Sequence, residues 1–139
     1  MTAKILVTGA TGFIGANLLE HLGVQDVEVY RGVRKLDSKS DKFDVLCDLT
    51  DLSSISVISS KYNFDVIVHL AATVGLDEQT YDEMFINNVI ATGVLGHVAL
   101  QMKAKFIFAS TVIVHSKAAE LINSSSIIDL DSEYARTKY

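Results

Sequence analysis

The sequence predicts an α/β fold, a parallel sheet wound on both faces by helices. Three observations carry this. Apolar runs too short for helices recur along the chain, segments of helical spacing separate them, and the connections between the two are brief. Such runs read as strands buried on both faces, because the crossover helices of a parallel sheet cover both sides.

Ile5-Leu6-Val7 is the first strand and ends at Gly9. A helix is expected from Gly12 to Leu22, with Ile14, Leu18, Leu19 and Leu22 on one side. Val27, Val29 and Val33 mark the second strand, and Val45-Leu46-Cys47 the third. Leu52 to Tyr62 fits a helix with Ile55, Val57 and Ile58 inward. Asp65 to Leu70 is the fourth strand, Thr80 to Met102 a long helix, and Lys105 to Ala109 the fifth strand. Ser116 to Asp131 has weak periodicity and reads as a surface loop that covers the site.

Composition narrows the function. The 139 residues carry a net charge of −5, with 49% hydrophobic and 21% charged residues, which is ordinary for a globular domain. No basic run is present, which argues against a nucleic-acid surface. The single cysteine, Cys47, can neither staple the fold nor build a thiolate metal site, so no metal is expected and the compartment is read as reducing and cytoplasmic. The most apolar stretch, Met84 to Met102, contains Asn87, Asn88, His97 and Gln101, so it reads as a buried helix and not as a membrane span.

The first strand runs into Thr8-Gly9-Ala10-Thr11-Gly12-Phe13-Ile14-Gly15. Glycines at intervals of three after a first strand suit a diphosphate. Gly9 permits a sharp turn, Gly12 lets the diphosphate approach the backbone, and Gly15 lets the new helix pack against the sheet. The helix N-terminus then offers free N–H groups and a partial positive charge. An ordinary strand-to-helix turn is the competing reading. Placement at the start of an alternating chain favours a Rossmann-type, doubly wound sheet.

Five features in order resemble the extended short-chain dehydrogenase/reductase family, the NAD-dependent epimerase/dehydratases. They are the glycine turn, Asp48-Leu49, His69-Leu70-Ala71-Ala72, Asn88 in a long helix, and Ser110-Thr111 followed by Tyr134-Ala135-Arg136-Thr137-Lys138. The resemblance spans the whole chain. It implies cofactor contacts from Gly9, Thr11, Gly12, Phe13, Ile14, Gly15, Leu70, Ala71, Ala72, Asn88 and Ser110. Asp48 would bond the adenine amino group and Leu49 would pack on the ring, although Asp48 could instead cap the next helix, a role for which Asp51 competes. Ala71 and Ala72 could equally be tight core packing. His69 reads as a satisfied structural histidine, not a catalyst. Asn88 resembles a helix asparagine that supports the active-site backbone and asks for partners there.

Tyr134 and Lys138 are four positions apart and share a helix face. In the family the tyrosine is the general acid/base, the lysine also binds the nicotinamide ribose, and Thr111 matches the hydroxyl that bonds the reacting oxygen. An ammonium beside a phenol is expected to lower the phenol's pKa. An exposed surface helix is the competing reading of the pair. His115-Ser116 stands where the family often has Tyr-Gly, which puts neighbouring substrate contacts in doubt.

The second strand is followed by Arg31-Gly32-Val33-Arg34-Lys35, with no acid before Asp37 to take a ribose 2′-hydroxyl. Arg34 resembles the arginine that pairs with a 2′-phosphate, so either NAD or NADP is implied, with NADP favoured; a solvated basic loop is the alternative. The resemblance also implies a nucleotide-sugar substrate and a possible homodimer. Family members continue past this point with more strands and a C-terminal substrate domain. Residues 1–139 are therefore read as an incomplete NAD(P)-binding domain that ends at the start of the catalytic helix. Tyr134 and Lys138 are expected to be poorly held there, with weak dinucleotide binding and no turnover. A non-catalytic dinucleotide sensor, or a reductase of another small carbonyl compound, are the competing functions.

Overall fold

The computed structural model describes residues 2–74, 80–116 and 121–139. Five strands, β1 (Ala3–Thr8), β2 (Val27–Val33), β3 (Asp44–Leu46), β4 (Val66–His69) and β5 (Lys105–Phe108), form one sheet in the order β3-β2-β1-β4-β5. Every pairing is parallel, with Thr8 level with Gly32 on one side and with His69 on the other. The chain therefore winds outward in one direction from β1 to β3 and in the other from β4 to β5. The C-terminal ends of β1 and β4 flank the switch point where sheets of this type bind ligands.

Helices lie on both faces because the strands bury both. Leu6 and Ile67 join Val45, Ile55, Ile58, Phe64, Leu95 and Val98 in one core. Val7 and Val68, next along their strands, join Leu18, Leu19 and Leu22 on the opposite face. The first core seats α2 (Leu52–Ser56), α3 (Ile58–Lys61) and α5 (Ala91–Met102), whereas the second seats α1 (Phe13–Leu22).

Two expected helices differ in detail. Leu52 to Tyr62 breaks at Val57 into α2 and α3. Its serines explain the break. Ser54, Ser56 and Ser60 each donate a side-chain hydrogen bond to a carbonyl three residues back, which competes with the regular helical pattern. Thr80 to Met102 is continuous but not uniform. It comprises α4 (Tyr81–Phe85), a π-helical turn over Ile86–Ile90, and α5. Thr80 and Glu83 form a reciprocal capping box at its start. This helix is long and apolar enough to cross a membrane, with a mean hydropathy of 1.2. Here it packs on α2, α3, β4 and β5, with Met84, Asn88, Ala91, Leu95, Val98 and Ala99 buried.

After β5 comes a single 3₁₀ turn (Val112–Val114), and the chain ends in α6 (Glu133–Lys138). Of the expected loop over 116–131, residues 117–120 lie outside the described residues. The rest runs back along the 3₁₀ turn through an antiparallel bridge between His115 and Ile128. The expectation that α6 is poorly held is corrected. Ser132 caps it by accepting from Ala135 N, and Ala135, Thr137 and Lys138 are buried.

Candidate active site

A cleft of about 560 Å³ opens at the switch point. Thr8, Gly9, Ala10, Thr11 and Gly12 form its floor, Asp48 and Leu49 one end, and Ala71, Ala72, Thr73 and Asn87 the other. Gly9 adopts φ +70°, and a Cβ there would stand 2.6 Å from the Ala71 nitrogen, so the turn and the β4 loop touch backbone to backbone. A Cβ on Gly15 would collide with the Gly9 carbonyl and stand 2.8 Å from Ala10 Cα. Gly15 thus packs α1 against the turn itself rather than against the sheet. No side chain caps α1 at Gly12, which leaves its first N–H groups available to an anion. Phe13 and Ile14 do not line the cleft. The two residues are 86% and 63% exposed.

At the other end of this floor, Asp51 caps α2 by accepting from Ser53 N, which resolves the competition between the two acids. Asp48 instead accepts through Oδ1 from the Thr50 amide (2.9 Å) and hydroxyl (2.8 Å). Its Oδ2 makes no hydrogen bond among the described residues. Cys47 also lines this end, and burial, with the Asp48 charge, pushes its thiol up to about 12, so it stays protonated. Arg34 stands on the wall, exposed and unpaired among the described residues, while Arg31 is held by Asp44 and Asp41 at 2.8 Å each. The two arginines are therefore not equivalent: only Arg34 is available.

The π-helical turn gives the opposite wall its character. It lets two consecutive asparagines face inward, and both grip Thr73. Asn88 accepts from Thr73 N (2.8 Å) and donates to Thr73 O (2.7 Å), and Asn87 donates to Thr73 Oγ1 (3.0 Å). The second Asn88 proton goes to Thr137 Oγ1 in α6. Asn88 is 1% exposed and outside the cleft lining, and it clasps the wall to α6. Asn87 was not anticipated. It lines the cleft, and its Oδ1 is buried with no hydrogen-bond partner among the described residues, an acceptor awaiting a donor. The only sequence signal was its place beside Asn88, and a regular helix would have turned it away.

Ser110 and Thr111 follow the C-terminal end of β5, where Ser110 meets Lys138, and Tyr134 lies one turn before Lys138 on α6. Ser110 Oγ donates to the Lys138 carbonyl (2.9 Å), so its proton holds α6, while Thr111 Oγ1 accepts from Ile113 N (3.4 Å). Lys138 is 3% exposed, and its ammonium lies 4.1 Å from the centre of the Phe108 ring. Burial lowers its pKa to about 8. Tyr134 is half-buried, and burial raises its phenol pKa, which corrects the expected lowering. The ammonium faces Phe108 and gives the phenol no resolved assistance. None of these four residues lines the cleft, which ends at Thr73 and Asn87. They are tied to it through Asn88 and Thr137.

The parallel sheet with its glycine turn at a switch point and helices on both faces defines a Rossmann-type domain. The NAD dependent epimerase/dehydratase family matches over residues 5–139, and the chain belongs to that family. It is 28% identical to the UDP-glucose 4-epimerase of Caenorhabditis elegans, over 97% of this chain and 46% of the relative. It is 29% identical to the ADP-L-glycero-D-manno-heptose-6-epimerase of Cupriavidus pinatubonensis, over 82% and 37%. The UDP-Glc/GlcNAc 4-epimerase of Campylobacter jejuni superposes with a TM-score of 0.85 at 27% identity, over 98% of this chain and 46% of that one. An Agrobacterium tumefaciens short-chain dehydrogenase/reductase solved with NAD shares the fold, with a TM-score of 0.82 at 24% identity, over 97% and 42%. The chain thus spans under half the length of these relatives.

Proposed function

We propose that this chain is the dinucleotide-binding and proton-transfer part of an NAD(P)-dependent enzyme that epimerises or dehydrates a nucleotide sugar. The single observation that carries this is the cleft itself. Glycine backbone, an uncapped helix N-terminus, a spare carboxylate oxygen and an orphaned buried amide oxygen line one continuous trough. That donor and acceptor set suits a dinucleotide. The α1 N–H groups would hold the diphosphate, Asp48 Oδ2 the adenine amino group, and Asn87 Oδ1 a ribose hydroxyl or amide donor. The bound nicotinamide supplies hydride exchange. Tyr134 would pass the proton, Thr111 would hold the reacting oxygen, and Lys138 would bind ribose. Names among the relatives, UDP-glucose 4-epimerase above all, support a nucleotide-sugar substrate.

Arg34 favours NADP, because a free guanidinium at the cleft wall matches a 2′-phosphate. Titration of the purified protein with NAD and NADP is the test, with NADP expected to bind more tightly and Arg34→Glu to reverse the order. Tighter NAD binding by the wild type rejects the NADP preference, and binding of neither rejects the proposal.

A second reading, a non-catalytic dinucleotide sensor, is favoured by the raised Tyr134 phenol pKa, which does not prepare a base. Tyr134→Phe in the protein joined to the further sequence its relatives possess separates the two. Loss of turnover supports the enzyme, whereas unchanged biological activity supports the sensor.

A further inference from the structure

His69, at the end of β4, is fully buried. Thr8 Oγ1 lies 2.6 Å from its Nδ1, and Thr92 Oγ1 lies 3.0 Å from its Nε2. The directions of these bonds follow from their neighbours. The Thr92 hydroxyl has one proton and gives it to the Asn88 carbonyl, which can only accept. Thr92 must therefore accept from the histidine, so Nε2 carries the proton. A neutral imidazole then accepts at Nδ1, and the Thr8 hydroxyl donates there. Thr8 in turn accepts from the Ala71 amide at 3.4 Å. The chain runs one way, from Ala71 N–H through Thr8, His69 and Thr92 to Asn88 O.

Asn88 then returns to Thr73, two residues from where the chain began, and reaches Thr137 in α6. Thr137 Oγ1 donates to the Tyr134 carbonyl. We propose that His69 is a positioning residue: fixed as one tautomer, it closes a hydrogen-bond circuit that keeps the cleft wall at residues 71–73 in register with the helix bearing Tyr134 and Lys138. Charging the ring would put a second donor against Thr8 and a cation near Lys138. Its burial, together with that lysine's charge, lowers its pKa to about 4 and keeps it neutral. Phe106 and Phe108 lie alongside the ring, with centroids 6.2 and 5.9 Å away.

Nitrogen-15 NMR of the ring tests the tautomer without any ligand. The expected spectrum shows a neutral ring with the proton on Nε2, unchanged between about pH 5 and 8. A proton on Nδ1, or titration within that range, overturns the proposal. The functional arm rests on the dinucleotide reading and uses Thr92→Val, which leaves Nε2–H without an acceptor. The full dinucleotide, which must pass residues 71–73, is expected to bind about tenfold more weakly. AMP, confined to the Asp48 end, is expected to bind as it does to the wild type, and Thr92→Ser to restore dinucleotide affinity. Equal loss for AMP and dinucleotide marks general destabilisation and overturns the positioning role. If the wild type binds neither nucleotide, the dinucleotide reading fails, and the nitrogen spectrum still decides the circuit.

Discussion

The Asp48 end of the cleft and the Thr73 end, with the helix bearing Tyr134 behind it, are held by different means. At the first, backbone does the positioning: Gly9 at φ +70°, Gly15 against the Gly9 carbonyl, and α1 opening without a cap. At the second, side chains far apart in sequence do it. Asn88 to Thr137 spans 49 residues, Ser110 to Lys138 spans 28, and Thr8 to His69 spans 61. The first end is decided by local conformation as soon as the turn forms. The second exists only once the sheet, the long helix and α6 have all docked.

The largest break in this comparison is expected from Gly15→Ala, which drives a methyl group into turn backbone that cannot yield. A loss of about 3 kcal/mol in chemical denaturation is expected, with collapse of nucleotide binding at both ends. Asn88→Leu removes the clasp but not the turn. Leaving the Thr73 amide unpaired is expected to cost about 2 kcal/mol, with faster amide exchange in residues 133–138 and AMP binding intact. Ser132→Ala removes only the cap of α6, with an expected cost of about 1 kcal/mol and fraying confined to that helix. A further effect sharpens the contrast through pH. The Lys138 pKa is about 8 in the folded protein, below its ordinary 10.5. Between those values the unfolded chain holds more protons, so stability rises with pH across that window and is lowest below it. Lys138→Met is expected to flatten that part of the stability profile while leaving the Asp48 end unaltered. An unchanged slope would show that the lysine is not desolvated.

The same division explains what the sequence made legible. The five strands, their parallel arrangement and the glycine turn follow from apolar run length and from residues whose roles are local. Asp51 and Asp48 were separable only in the structure, because both precede α2 and either could have capped it. Asn87 could not be found, since periodicity assumes a regular helix and the π-helical turn departs from it. The pKa direction of Tyr134 failed for a related reason. Spacing of four sets Tyr134 and Lys138 on one side of α6 but does not say that Phe108, from another strand, captures the ammonium. Local rules reached the backbone of the site, and contacts between distant elements completed it.

The wide turn in the helix after β4 also bears on how this sequence tolerates length changes. A π-helical turn stores one residue more than the helix needs. Removing a single residue between Ile86 and Ile90 would regularise the coil and leave Leu95 and Val98 able to seat in the core. Only one asparagine could then reach Thr73. A one-residue deletion, normally ruinous inside a helix, would here leave a well-folded domain with a silenced far wall.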